Sequence, residues 1–134
     1  MHKFMVPCEV TPYTRMTQRG KYVKPNALRY LASQEDIRLH LWQQMAKNDY
    51  DMLPEREPLF VILYFYPPKN KAHTQDLDNI LKAVLDACKD IVFQDDRWID
   101  YIAVRRITDD LVISAPCFKL FVGVGSCPEL ERIK

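Results

Sequence analysis

The sequence predicts an α+β fold: a mixed sheet of about four strands with two main helices packed on it, in a single domain covering residues 1–134. Three features predict it. The run Leu59 to Tyr66 is almost unbroken Leu, Phe, Val, Ile and Tyr, as expected for a central strand covered on both faces. Leu77, Ile80, Leu81, Val84, Leu85 and Cys88 recur at i, i+3, i+4, i+7, i+8 and i+11, the apolar stripe of one helix. Strand-like and helix-like stretches also alternate before ending in two strands, which favours helices gathered on one sheet. At 134 residues and 48% hydrophobic content, the chain can bury one real core.

Taken in order, residues 3–10 alternate weakly and meet Pro7 and Pro12, a first strand entering a loop. Residues 11–24 hold Gly20 and many polar groups and read as a mobile loop or hairpin. Over residues 26–47, Leu28, Leu31, Ile37, Leu41 and Met45 recur at helical intervals, with Asn26 available as a cap. Residues 48–58 hold two prolines and link rather than fold. Pro67 and Pro68 stop the central strand, and the following helix runs to about Asp90. Residues 97–108 alternate as a strand, and residues 117–124 give another, bounded by Pro116 and Gly125.

The first ten residues lack the apolar centre of a signal peptide, and no apolar run approaches the roughly 20 residues that span a bilayer, so a soluble, cytoplasmic protein is expected. Cys8, Cys88, Cys117 and Cys127 are widely spaced, with no CxxC pair, and are expected as free thiols. His2, His40 and His73 stand in unrelated contexts and are not expected to bind metal. Trp42 and Trp98 are expected as core or interface anchors rather than base-stacking platforms. Net charge is only +1, but its distribution is uneven. Between residues 11 and 30, Arg15, Arg19, Lys21, Lys24 and Arg29 occur with no acid and with Tyr13, Tyr22 and Tyr30 among them. Between residues 75 and 110 the acids dominate, so the chain reads as a basic cradle around an acidic centre.

The acidic centre is the most informative part. Asp76 and Asp78 flank Leu77, and thirteen residues after Lys82 come Asp95 and Asp96. Two helical residues at this spacing would diverge by roughly 200°. If Asp76 instead stays extended before the helix while Asp78 lies in its first turn, both carboxylates can lie at the helix start. Whether the loop bearing Asp95 and Asp96 returns to the same point depends on topology. Gathered carboxylates repel, and a hard divalent ion resolves the repulsion; Mg²⁺ prefers oxygen ligands and retains waters, so two or three carboxylates and phosphate oxygens suit it. Lys82, one turn after Asp78, could reach a phosphate. Each signal has an ordinary explanation: first-turn acids complement the helix dipole, Asp78 and Lys82 form an i, i+4 pair, and Asp95-Asp96 suits a turn. Their joint occurrence favours chemistry.

At these residues the sequence resembles the RusA family of Holliday junction resolvases. The word Asp76-Leu77-Asp78-Asn79, Lys82 three positions on, Ala83 and Asp86, the Asp95-Asp96 pair and then Ile99-Asp100-Tyr101 match that family's signature in order and spacing, densely from about Leu59 to Arg105. The resemblance implies that Asp76, Asp78 and Asp96, with Asp95 beside it, hold catalytic Mg²⁺ or Mn²⁺, that Lys82 assists the chemistry, and that a homodimer nicks opposed strands of a four-way DNA junction. Arg15, Arg19, Lys21 and Lys24, with Lys69 and Lys71, would contact phosphates, a mode insensitive to sequence and sensitive to salt. Two positions depart from the pattern. Gln75 stands where a basic residue often precedes the first Asp, and Lys89-Asp90-Ile91 replaces a segment that commonly holds Gly. Two other functions fit the same residues: a catalytically inert DNA-binding accessory dimer, and a metal-dependent phosphoesterase acting on small substrates.

Overall fold

The computed structural model describes residues 1–13, 25–69, 74–108 and 115–127. The elements are β1 (His2–Val6), α1 (Pro25–Lys47), β2 (Leu59–Tyr66), α2 (Leu77–Cys88), a 3-10 turn (Asp96–Trp98), β3 (Ile99–Arg106) and β4 (Cys117–Val124). The strands form one mixed sheet in the order β1-β4-β2-β3, so the predicted α+β architecture of two helices and four strands is what the chain adopts.

β2 is central, as its unbroken apolar run predicts. It pairs antiparallel with β4, Leu59 opposite Val124 through Tyr66 opposite Cys117, and parallel with β3, Leu59 opposite Ile99 through Phe65 opposite Arg106. Alternate side chains divide the sheet into two faces. Leu59, Val61, Leu63 and Phe65 join Phe118, Leu120, Val122, Phe4 and Val6 beneath both helices, which contribute Ile37, Leu41, Ile80 and Val84. Phe60 and Ile62 point the other way into a small cluster with Cys127. Gly123 belongs to that face, where a Cβ would lie 2.6 Å from the Phe60 ring, so only glycine permits this approach.

Several expected boundaries and faces shift. β1 ends at Val6, short of residue 10, because Pro7 cannot donate to the ladder. α1 begins at Pro25, whose fixed φ suits a first helical position, and Asn26 is not its cap: it lies inside the helix and accepts a bond from Arg29 instead. Ala27, Tyr30, Ser33, Ile37, Leu41 and Met45 form the buried face of α1, leaving Leu28 exposed, since Tyr30 fills the place expected for a leucine stripe. Trp42 is not in the core; it is 64% exposed on the outer side of α1, whereas Trp98 packs partly buried against the main core. α2 closes at Cys88 rather than near Asp90. The four cysteines are free thiols, as expected. No helix of the described residues is long and apolar enough to cross a membrane.

Candidate active site

The local geometry at the start of α2 follows from its sequence. Asp76 is the N-cap residue, extended at φ −72° and ψ 134°, and its carbonyl accepts the first helical bond from the Ile80 amide at 3.2 Å. Asp78 lies in the first turn, so the predicted combination of one extended and one helical aspartate is what occurs. Asp76 makes no side-chain cap bond, although an N-cap aspartate ordinarily does. Both residues are exposed, and among the described residues neither carboxylate has an ion-pair partner. Two oxygen donors at a helix N-terminus, neither spent on capping, suit a hard divalent cation.

Tyr13 docks beside them. The Tyr13 amide donates to the Asn79 carbonyl at 3.0 Å, and Lys82 Nζ stands 4.8 Å from the centre of the Tyr13 ring. Tyr13 meets Tyr30 edge to face at 5.8 Å, and the Tyr30 hydroxyl donates to Asp86 at 3.0 Å. Burial, and then the Asp86 bond, push the Tyr30 phenol well above its ordinary range. Lys82 is thus held on the same side of α2 as Asp78, one turn along. Arg15, Arg19, Lys21, Lys24 and Lys71 lie outside the described residues; Lys69 is exposed just after β2, at the same end of the sheet as Asp76.

Asp95 and Asp96 occupy the other end. β3 runs parallel to β2, so α2 must return along the sheet between them. Lys89, the C-cap of α2, lies 3.7 Å from Asp86 and 4.0 Å from Asp96, which ties the Asp96 turn to the end of that helix. Asp95 caps the 3-10 turn, accepting from the Arg97 amide and from Arg97 Nε, both at 3.1 Å. The Arg97 amide first, then hydrogen bonding with Asp96, hold its carboxyl below the usual carboxylate range. At the opposite edge, Arg106 at the end of β3 bonds the carbonyl of Gln75. A twelve-residue helix and an eight-residue strand therefore separate Asp96 from Asp76 by on the order of 20 Å. Within one subunit the two acid pairs do not meet, and among the described residues no three His, Cys, Asp or Glu side chains gather into a metal-binding group.

Sequence reasoning missed Asp86, Lys89 and Tyr30 as the connection between the two ends. The i, i+3 spacing of Asp86 and Lys89 was the available signal. Alternation along β3 turns Arg105 and Arg106 to opposite faces, and Arg106 is the one that reaches the Asp76 end. The loop after α2 keeps its tight turn without glycine, because Asp90 takes φ +65°, a left-handed conformation that aspartate tolerates better than most residues.

Comparison with known proteins adds one finding. The family described as Endodeoxyribonuclease RusA matches residues 7–114. No curated protein matches the chain.

Proposed function

The chain belongs to the RusA family of endodeoxyribonucleases, the Holliday junction resolvases, and from that premise we propose that it acts in DNA recombination and repair as a homodimer making paired, symmetric nicks in a four-way junction, with each active site completed across the dimer. The observation that supports the shared site is the separation of the two acid pairs by the length of α2. A twofold axis reverses direction, so the start of α2 in one subunit can lie beside the end of α2 in the other. β3 is an edge strand of the sheet, and an axis crossing near its middle would bring Asp76 and Asp78 towards Asp96 of the partner subunit.

In this reading Asp76, Asp78 and Asp96 of the partner subunit hold the cation, while Asp95 keeps the turn that presents Asp96. Mg²⁺, or Mn²⁺ in its place, would supply Lewis-acid stabilisation of charge on the scissile phosphate. Lys82, steadied by the Tyr13 ring, offers a cation to the same phosphate group. Arg15, Arg19, Lys21 and Lys24 follow Tyr13 in the sequence, and Tyr13 is anchored on Asn79, so these bases would carry the DNA backbone to the site.

The direct test is incubation with a synthetic four-way junction and Mg²⁺. Nicks at symmetric positions in two opposed strands are the expected result. Junction binding without nicks in Mg²⁺ or Mn²⁺ would show an accessory protein, and hydrolysis of only small phosphoesters would show the third function considered above.

A further inference from the structure

Two buried polar atoms among the described residues have no hydrogen-bond partner, and they lie on residues in direct contact. They are Gln75 Oε1 and Arg106 Nε. Arg106 already donates from Nη2 to the Gln75 carbonyl at 2.5 Å. Such orphans are uncommon in folded proteins, because each gives up its hydration without a replacement bond. Here one orphan is a donor, the other an acceptor, and a single bond between them would satisfy both.

The location gives the pair a role. Gln75 is the residue immediately before Asp76, so holding its carbonyl fixes the peptide from which the extended Asp76 backbone starts. Arg106 itself is anchored at the last ladder position of β3, opposite Phe65, and the next residue continues the pairing through the Ile107 amide and the Phe65 carbonyl at 2.8 Å. A rigid strand end therefore reaches across to a loop that has no ladder of its own. A planar guanidinium can engage two acceptors as a fork, whereas an ammonium acts as a point charge.

Building on the metal site advanced above, we propose that Arg106 is a positioning residue for Asp76. Its guanidinium clamps Gln75 through the main-chain carbonyl, and Arg106 Nε with Gln75 Oε1 forms the second arm when the loaded site draws Asp76 into place. The clamp acts on the ligand through the backbone and does not touch the substrate.

The test uses Arg106→Lys, which retains charge but loses the fork, and Gln75→Ala, which removes the second arm and leaves the carbonyl. Two readouts are taken on the full chain. Amide exchange of metal-free protein is followed at Ile80, whose N–H bonds the Asp76 carbonyl, with Val84 as the control within the same helix. Mn²⁺ uptake is measured by electron paramagnetic resonance, with Asp78→Asn as the control for the site. The expected result for Arg106→Lys is about tenfold faster exchange at Ile80, none at Val84, and Mn²⁺ affinity lowered about tenfold, the size seen when a group supporting a ligand is lost. Gln75→Ala should lower Mn²⁺ affinity less. Unchanged Ile80 exchange in Arg106→Lys overturns the clamp; faster Ile80 exchange with wild-type Mn²⁺ affinity overturns its positioning role. Wild-type protein that takes up no more Mn²⁺ than Asp78→Asn would instead refute the metal site, and the Ile80 exchange would then decide the clamp alone.

Discussion

Replacing Asp78 by Asn is expected to abolish junction cleavage, by on the order of 10³-fold or more, while leaving junction binding intact or tightened. Asp78 is exposed in the first turn of α2 beside an Asp76 whose carboxylate is not used as a cap. An amide cannot replace the carboxylate as a charged ligand for a hard cation, so the chemistry loses its electrostatic support. The same change removes a negative charge that repels the phosphate backbone, so affinity should not fall. Cleavage rates with a four-way junction, together with gel-shift binding measured without metal, separate the two effects. A variant that cuts at the wild-type rate would remove Asp78 from the site.

The largest expected stability effect near the site belongs to Phe93. It is 1% exposed in the main core, and its carbonyl accepts from the Asp90 amide at 2.8 Å, closing the turn after α2. It also forms isolated bridges with Leu53 and Lys89. Phe93→Ala should therefore cost about 3–5 kcal/mol, the range for emptying a buried phenyl site. Denaturant unfolding measures this directly. Because Asp95 and Asp96 follow Phe93 by two and three residues, cleavage should also fall beyond what the folded fraction explains. A loss under about 1 kcal/mol would mean that the loop is not held by this side chain.

Much of this architecture is written locally. The unbroken run of β2, the α2 stripe and the break at Pro67-Pro68 rest on short-range rules, and each appears where those rules place it. So does the extended-then-helical pair Asp76 and Asp78, because it depends on one helix start. The face of α1 was less legible, since the choice between Leu28 and Tyr30 is made by what packs opposite, and Tyr30 finds both Tyr13 and Asp86. Likewise Asn26 offered a capping side chain, but Pro25 began the helix one residue earlier. The position of Asp96 was not legible at all. It follows from β2 and β3 being parallel, a long-range pairing that sends the helix back along the sheet and leaves its two ends far apart. The family resemblance names the acids without saying which subunit supplies each.

That last point is open to one decisive measurement. Asp78→Asn and Asp96→Asn chains, each expected to be inactive alone, are co-refolded so that mixed dimers form, and junction nicking is assayed in Mg²⁺. If each site draws Asp78 from one subunit and Asp96 from the other, a mixed dimer has one site with both substitutions and one with neither. Random mixing should then restore nicking at about a quarter of the wild-type number of sites, with cuts in one strand rather than pairs. A mixture as inactive as either variant alone would contradict the shared site.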